Sequence, residues 1–207
     1  MKILIVDNHD SFVCNIIGLL QRIAREEPDL CWETAACDAV PFSRLHSFDA
    51  VILSPGPGLP SEAGSLMRVV AECEGEIPLL GICLGCQAIA EHHGLRLHRL
   101  PEPRHGHASR LVVADAADPV VGNFDATRIG RYHSWVIDPE AFASGSHPLK
   151  ATSHDEEGNI MSISHRSLPV YATQFHPESI ITTHGLEMMR GFIRQVRTLE
   201  RAPGKSF

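Results

Sequence analysis

Leu79-Leu80-Gly81-Ile82-Cys83-Leu84-Gly85 is the stretch that decides the fold of this 207-residue chain. The apolar run 77–82 predicts a buried β-strand, and residues 85–93, which stop before Gly94, have the pattern of a helix. A glycine two positions away on each side of Cys83 allows a sharp turn that presents the cysteine side chain. A strand that passes directly into a helix is typical of α/β proteins, whose ligands bind at the carboxyl ends of the strands.

The residues that precede this stretch repeat the same alternation of strand and helix. Short apolar runs at 3–6 and 50–53 predict two further buried strands. Helices are predicted after each of them, one that begins near a capping Ser11 and one over residues 62–73. The first half of the chain therefore predicts a mostly parallel sheet flanked by helices.

The second half of the chain has a different pattern. Short strands separated by turns are predicted at 95–97, 109–113, 128–132, 150–153, 160–164 and 170–174. Helical periodicity returns only after Thr183. Because no linker or repeat divides the sequence, we expect one α/β domain over residues 1–207, with an open, mostly parallel sheet and an antiparallel addition.

The composition is that of a globular protein and argues against two classes of partner. Hydrophobic residues make up 43% of the chain, charged residues 21%, and the formal net charge is −7. An acidic chain lacks the basic surface that nucleic-acid binding requires. No apolar run approaches the roughly 20 residues that span a bilayer. We therefore expect neither a nucleic acid nor a membrane as a partner.

The N-terminal segment and the cysteines together predict the compartment. Residues 1–7 contain an apolar run of only four residues before Asp7, which is too short for a secretory signal. In the absence of such a signal, cysteines in a chain of this size are expected to be free thiols. The six are Cys14, Cys31, Cys37, Cys73, Cys83 and Cys86. We therefore expect a cytoplasmic protein without disulfides.

Cys83 and His176 are the candidate nucleophile and base. A cysteine at a helix N-terminus lies in partial positive charge, which favours the reactive thiolate. Pro177 favours an extended conformation at His176, and in an extended segment His176 and Glu178 project to the same side. A carboxylate beside an imidazole fixes its tautomer and stabilises the imidazolium. Taken alone, Cys83 is also compatible with a buried structural cysteine. Taken alone, His176 is also compatible with a histidine that is hydrogen-bonded at the end of a strand.

The glycine-rich loop 54–58, with the sequence Ser-Pro-Gly-Pro-Gly, is a third element of the predicted site. A tetrahedral intermediate needs backbone N–H groups that point at its oxyanion. Because Pro57 has no N–H, the donors nearest the bend come from Gly56 or Gly58, and Leu84 supplies a second candidate donor. Taken alone, the loop is also compatible with an ordinary tight turn after a strand.

The segments 54–58, 81–85 and 175–178, in this order, closely resemble motifs of the class I, or triad-type, glutamine amidotransferases. The resemblance implies a flavodoxin-like core, glutaminase activity on L-glutamine, and a catalytic triad of Cys83, His176 and Glu178. It also implies an oxyanion hole from the backbones of Gly56 and Leu84. The glutamine-binding residues that it implies are Gly56, Pro57, Gly58, Gln87, Ser134 and Trp135.

Three further segments, 7–12, 131–134 and 177–180, resemble the component II subunits of anthranilate synthase and aminodeoxychorismate synthase. This resemblance implies a separate chorismate-using synthase subunit, component I, that receives ammonia from this chain. It implies no cofactor or metal in this chain, with Mg²⁺ and chorismate bound by the partner. It also places residues 7–12 on the rim, where the partner could sense the active site.

The sequence departs from the family pattern at two places. Cys86 stands where the family usually has histidine, which creates a Cys83-x-x-Cys86 spacing. That spacing also occurs in thioredoxin-like redox proteins, and it suggests a reversible disulfide between the two cysteines as a regulatory hypothesis. At His107 the related enzymes often have lysine. The alternatives to the amidotransferase function are a thioredoxin-like redox protein, a γ-glutamyl hydrolase that works alone and a non-catalytic regulatory subunit.

Histidine is abundant, with 13 residues, and this raises the question of a metal site. The pairs at 92–93 and 105/107 have no cysteine or carboxylate at the compact spacing of a zinc site. We therefore expect these histidines on the surface or in loops.

Overall fold

The computed structural model describes residues 1–200 of the chain. It contains twelve strands and five α-helices within these residues. The strands are β1 (Lys2–Asp7), β2 (Cys31–Ala36), β3 (Ala50–Leu53), β4 (Leu79–Ile82), β5 (Leu97–Arg99), β6 (His107–Arg110), β7 (Val112–Val113), β8 (Arg128–Arg131), β9 (Trp135–Ile137), β10 (Leu149–His154), β11 (Ile160–His165) and β12 (Val170–Thr173). The helices are α1 (Val13–Ala24), α2 (Leu66–Cys73), α3 (Leu84–His92), α4 (Pro139–Ser144) and α5 (Gly185–Glu200).

One eight-stranded sheet forms the centre of the fold, in the order β2-β1-β3-β4-β12-β11-β10-β7. The first five strands in that order are parallel, and the last three extend the sheet with antiparallel pairs. The order begins 2-1-3-4, as in flavodoxin-like folds. The predicted fold class, a mostly parallel open sheet with an antiparallel addition, is therefore confirmed.

Alternating side chains of the central strands bury both faces of the sheet. Ile3 and Ile5 of β1 point to one face and pack in a layer with helices α1 and α5. Leu4 and Val6 point to the other face and pack with α2 and α3. The sheet is thus covered by helices on both sides, which leaves the carboxyl ends of its parallel strands as the accessible edge for a ligand.

Two small antiparallel ribbons stand apart from the main sheet. Strand β5 pairs with β9, with Arg99 opposite Trp135, and β6 pairs with β8, with His107 opposite Arg131. Neither β9 nor the short helix α4 was predicted, because each contains too few residues to establish a period. The edge strand β2 was also missed, since its residues are only partly buried and carry Glu33 and Thr34 among the apolar ones.

Several predicted boundaries are corrected by the structure. Helix α1 begins after Phe12 without a side-chain cap, so Ser11 is not its cap. Instead, Oδ1 of Asp10 accepts a hydrogen bond from the Phe12 N–H at 2.8 Å. The helix predicted over 62–73 begins only at Leu66, as α2, and a separate 3₁₀ turn at Pro60–Glu62 precedes it. Within residues 1–200, no helix combines the length and apolar character needed to cross a bilayer.

Candidate active site

Cys83 lies at a sharp turn between β4 and α3, as the sequence predicts. Its backbone angles are φ 53° and ψ −100°, which a residue with a side chain adopts only under strain. The turn is tight because glycines flank it on both sides. A Cβ on Gly81 would lie 2.6 Å from the backbone of Gly85, and a Cβ on Gly85 would lie 2.6 Å from the carbonyl oxygen of Leu53. Both glycines are therefore required for the conformation that presents Cys83.

His176 follows β12, the strand next to β4 in the sheet. Thr173 at the end of β12 is in register with Ile82, and its carbonyl accepts a hydrogen bond from the Cys83 N–H at 2.8 Å. Cys83 and His176 are distant in sequence, but parallel pairing places them at the carboxyl ends of adjacent strands. The pairing therefore brings together the two residues that the sequence singled out.

Glu178 accepts a hydrogen bond from the imidazole of His176, with 2.7 Å between Nδ1 and Oε1. The two side chains face each other as predicted, but the backbone between them is not extended. The Ser179 N–H donates to the carbonyl of His176 at 3.2 Å, which closes a turn over 176–179. The hydroxyl of Thr182 donates to the same carbonyl at 2.6 Å. The pair is therefore held by a turn and not by strand periodicity.

The charge state of His176 is set by its neighbours. Burial alone would lower the pKa of His176, but the charges of Glu178 and Cys83 together raise this pKa well above its ordinary value. Nε2 of His176 has no hydrogen-bond partner within residues 1–200, so it is available to a donor or acceptor that enters the site. An imidazole that holds a proton beside a cysteine is suited to protonate a leaving group.

Two aromatic rings pack edgewise against the His176 imidazole. The ring centroids of Phe12 and Tyr132 lie 4.9 Å and 5.0 Å from that of His176, and 4.8 Å from each other. The Tyr132 hydroxyl is 3.0 Å from Oγ of Ser179, in the turn that carries Glu178. The imidazole is thus fixed by a carboxylate on one ring nitrogen and by aromatic contacts on its sides.

The loop 54–58 follows β3, the other neighbour of β4. A Cβ on Gly56 would lie 2.6 Å from both Asn8 Cβ and Leu84 Cδ2, so this loop packs tightly against the start of α3. Asn8 holds the loop through two hydrogen bonds to Ser54, one from its backbone N–H and one from its side-chain amide. Within residues 1–200, the N–H groups of Gly56 and Leu84 donate to no other protein group. Both can therefore receive an anionic oxygen.

A cavity of about 360 Å³ opens beside Cys83. Its lining includes seven of the residues predicted for the site, which are Gly56, Pro57, Gly58, Cys83, Gln87, Ser134 and Trp135. Four more lining residues were not predicted for the site, and they are Arg99, His105, Tyr132 and His133. The unpredicted residues come from the ribbons and their connections, whose position above the sheet no local pattern in the sequence indicates.

Gln87 is buried and already engaged in the protein. Its Nε2 donates to the Trp135 carbonyl at 2.9 Å and to Oε1 of Gln174 at 3.2 Å. Gln174 in turn donates to Sγ of Cys83 at 3.6 Å. This chain of amides joins Cys83 to residues 133–135, so these groups form a single wall of the cavity.

A buried polar network supports the same wall from behind. Arg131 is fully buried and pairs with the buried carboxylate of Asp155. Its Nε donates to Nε2 of His133 at 3.2 Å, and Nδ1 of His133 lies 3.1 Å from the Trp135 carbonyl. Burial, followed by the charge of Arg131, lowers the pKa of His133 to about 3. His133 is therefore neutral and donates to Trp135 through Nδ1.

Cys86, the second cysteine of the Cys-x-x-Cys spacing, points away from the cavity. It is fully buried and belongs to the packing layer of α2 and α3, whereas Cys83 belongs to the layer of α1 and α5. Burial raises the pKa of the Cys86 thiol far above its ordinary value. All six cysteines are free thiols in the structure.

A histidine cluster that sequence spacing missed lies at the opposite end of α3. The Glu74 carboxylate is 2.9 Å from Nε2 of both His92 and His93, and Glu74, His93 and His165 carry possible metal ligands within 4.8 Å of one another. However, Nδ1 of His165 accepts the N–H groups of Ser167 and Leu168, at 3.1 Å and 2.9 Å. A neutral His165 therefore keeps its proton on Nε2, and within residues 1–200 the hydrogen bond that Glu74 makes in this cluster is the one to His92, at 2.9 Å.

The sequence of this chain is similar to those of known proteins. A family model described as glutamine amidotransferase class-I matches residues 4–196. An aminodeoxychorismate synthase of Streptomyces griseus is 39% identical over 93% of this chain, although the chain spans only 26% of that protein's length. An anthranilate synthase component 2 of Azospirillum brasilense is 34% identical, and the alignment covers 97% of this chain and 99% of that protein.

A solved structure agrees with the fold. A crystal structure of a protein from Thermoplasma acidophilum, described as a candidate subunit of GMP synthase, superposes with a TM-score of 0.82. It is 24% identical in sequence, and the superposition covers 97% of this chain and 96% of the other. At this level of identity the likeness supports the fold alone.

Proposed function

The chain belongs to the class-I glutamine amidotransferases, and from this membership we propose that it hydrolyses glutamine through a triad of Cys83, His176 and Glu178. The observation that carries the proposal is the buried His176–Glu178 hydrogen bond at the end of the strand next to Cys83. A carboxylate–imidazole pair beside a cysteine in a strained turn is the arrangement that nucleophilic catalysis requires. The strained backbone of Cys83 and its flanking glycines support the same assignment.

The proposed chemistry begins with attack of the Cys83 thiolate on the side-chain amide carbon of glutamine. The negative charge that develops on the amide oxygen is stabilised by the N–H groups of Gly56 and Leu84, which would form the oxyanion hole. The His176 imidazolium gives its proton to the leaving nitrogen, and ammonia departs from a γ-glutamyl thioester. Neutral His176 then removes a proton from water, which attacks the thioester and releases glutamate and Cys83.

We propose that the cavity beside Cys83 binds the glutamine substrate. Its lining includes Gly56, Pro57 and Gly58 of the loop after β3, together with Gln87, Ser134 and Trp135. The Trp135 carbonyl already accepts hydrogen bonds from Gln87 and His133, so this segment is better placed to offer donors than acceptors to a ligand. The wall formed by Gln87, Gln174 and residues 133–135 would lie on one side of the glutamine side-chain amide, with loop 54–58 also in contact. Together they would hold this amide between Cys83 and the N–H groups of Gly56 and Leu84.

We further propose that the ammonia is delivered to a separate chorismate-using synthase subunit. Both relatives described above are named for chorismate-using synthases, and the one that matches end to end is a component 2. The chain spans about a quarter of the length of the Streptomyces protein, and we assign the synthase reaction to a polypeptide other than this chain. Chorismate and Mg²⁺ would bind that partner, with anthranilate or 4-amino-4-deoxychorismate as the product.

Glutamate release from glutamine tests the proposal, measured with and without a candidate synthase subunit. We expect release in the wild type, stimulation by the partner, and loss of release in Cys83→Ser. Cys14→Ser is the matched control, because Cys14 is an exposed thiol on α1 and should leave the rate unchanged. Release that persists in Cys83→Ser would contradict the assigned nucleophile. Release that no synthase subunit stimulates would favour a γ-glutamyl hydrolase that works alone.

A further inference from the structure

Arg99 occupies a fixed backbone position beside the cavity. It ends β5 and stands directly opposite Trp135 of β9 in the antiparallel ribbon. The next residue, Leu100, donates its N–H to the Ser134 carbonyl at 2.8 Å, which locks this end of the ribbon to the cavity wall. Arg99 lines the cavity together with Cys83 and Gln87 and is exposed to solvent. Its location is therefore set by the same strand pair that supplies Trp135.

The charges around the cavity favour an anionic ligand group. Its lining, among the described residues, contains the cationic Arg99 and no carboxylate, and His133 in the same lining is neutral. Nearby arginines are already paired, Arg104 with Glu157 and Arg131 with Asp155. Within residues 1–200, Arg99 has neither an ion pair nor a side-chain hydrogen bond. The Arg99 guanidinium therefore has no protein partner at a cavity whose described lining holds no carboxylate. It is available to bind a carboxylate of the ligand through two parallel hydrogen bonds.

We propose that Arg99 binds the α-carboxylate of glutamine and thereby determines specificity for the free amino acid over other primary amides. This inference rests on the proposed function, because it needs glutamine in the cavity with its side-chain amide at Cys83. The α-carboxylate lies at the opposite end of glutamine from the reacting amide. Arg99 therefore takes no part in the chemistry and contributes equally to the ground state and the transition state.

The test measures ligand binding, so that it does not depend on turnover. In a Cys83→Ser background, dissociation constants are measured by calorimetry for L-glutamine, glutaramate and 4-aminobutanamide, with and without Arg99→Met. Glutaramate keeps the carboxylate and lacks the amine, whereas 4-aminobutanamide keeps the amine and lacks the carboxylate. We expect Arg99→Met to raise the dissociation constants of L-glutamine and glutaramate by roughly 5- to 30-fold, which is the range for one partly solvated charge-assisted pair. Binding of 4-aminobutanamide should not change.

Arg96→Met is the matched control. Arg96 carries the same charge next to the same ribbon, is 77% exposed, and lies near Asp138 outside the cavity. It should leave all three dissociation constants unchanged. Arg99→Lys, which retains a charge without the planar fork, should recover part of the lost affinity.

The outcomes separate this inference from the proposed function. Arg99→Met could raise the dissociation constants of all three ligands equally, or raise none of them. Either result would overturn the assignment of Arg99 and leave the glutaminase proposal intact. Absence of L-glutamine binding to the protein with Arg99 intact would overturn both. In the wild-type background, the inference also requires that Arg99→Met raise KM for glutamine while kcat stays the same.

Discussion

Nδ1 of His176 lies 2.7 Å from Oε1 of Glu178, in side chains that are 2% and 0% exposed. A bond between buried groups is poorly screened by solvent, so the carboxylate strongly influences the imidazole. It directs the proton of neutral His176 to Nδ1 and leaves Nε2 for the acid–base role that we propose. Phe12 and Tyr132 then restrict the rotation of the ring.

Replacing Glu178 by glutamine should reduce kcat for glutamine hydrolysis by roughly 10²- to 10⁴-fold, because the neutral amide neither fixes the tautomer nor stabilises the imidazolium. The pH profile should change as well. The Glu178 charge helps to raise the pKa of His176, so its removal lowers that pKa, and the alkaline limb of the profile moves to lower pH. Steady-state kinetics from about pH 5 to about pH 10, which span the ordinary histidine pKa, measure both effects.

The matched control for this change is Glu187→Gln. Glu187 also stands beside a histidine, His184, but both side chains are more than half exposed and 4.0 Å apart. We expect no change in kcat or in the pH profile. An unshifted alkaline limb in Glu178→Gln would contradict the role assigned to the carboxylate.

Phe12→Ala should lower kcat by about 2- to 10-fold, since an aromatic edge contact contributes about 0.5–1.5 kcal/mol. KM for glutamine should stay within about twofold, because Phe12 is not among the residues that line the cavity. The comparison is with Phe142→Ala, which removes a similar contact from His147, outside the cavity lining. Equal losses of activity in the two variants would show that the effect is one of stability alone.

Gly85→Ala should destabilise the protein by about 1–3 kcal/mol or more, because the added Cβ would lie 2.6 Å from the Leu53 carbonyl oxygen and 2.7 Å from its Cβ. Gly18→Ala is the opposite case. Gly18 lies inside α1 with no atom within 4 Å of the added carbon, so this change should stabilise by about 0.5–1 kcal/mol. Urea unfolding measures the free energy of unfolding of both variants. An unchanged free energy of unfolding in Gly85→Ala would mean that the turn at Cys83 is not tightly packed.

Cys86 should remain unmodified when the native protein is treated with iodoacetamide. Burial raises the pKa of Cys86 strongly and that of Cys73 to about 12, whereas Cys14 and Cys31 are exposed and should be labelled. Mass spectrometry of peptides distinguishes the sites. The same burial argues against a disulfide with Cys83, so dithiol should reverse peroxide inactivation to the same extent in Cys86→Ala. A loss of reversibility in that variant would instead support the regulatory disulfide.

His133 should make the protein less stable at acidic pH. Its pKa is about 3 in the folded chain and about 6.5 in the unfolded chain, so between these values only the unfolded state gains the proton. The free energy of unfolding therefore falls as pH decreases through this window, by about 1.4 kcal/mol per pH unit. In His133→Asn this contribution disappears, and the slope of stability against pH should be smaller. The exposed His46→Asn should keep the wild-type slope.

The sequence predicts the mostly parallel half of the fold, and it singles out the residues of the proposed triad, because both have local signals. The strand-to-helix turn at Cys83 needs glycines at 81 and 85, and both are visible in the sequence. The contact between His176 and Glu178 was also predicted, although by the wrong route. The sequence suggested an extended segment, whereas the Ser179 N–H closes a turn on the His176 carbonyl.

Residues whose roles depend on long-range pairing could not be predicted. Arg99 and His133 reach the cavity only because β5 pairs with β9 and Arg131 pairs with Asp155, and no local pattern encodes either pairing. The Glu74 cluster was missed for the same reason, because His165 comes from a different strand and lies far from His92 and His93 in sequence. Strand β9 was missed because three residues do not establish a period.

The order of strands also bears on how the protein is made. Strand β12 lies between β4 and β11 in the sheet, yet it is the last strand of the described chain to leave the ribosome. Until it does, β4 is an edge strand with unpaired backbone groups, a template for pairing with other chains. At that stage the nascent chain contains Cys83 but not yet His176, and the sheet lacks strand β12 near its centre. A ribosome that stalls before Val170 would leave a chain with β4 as an exposed edge strand and without two of the three residues of the proposed triad.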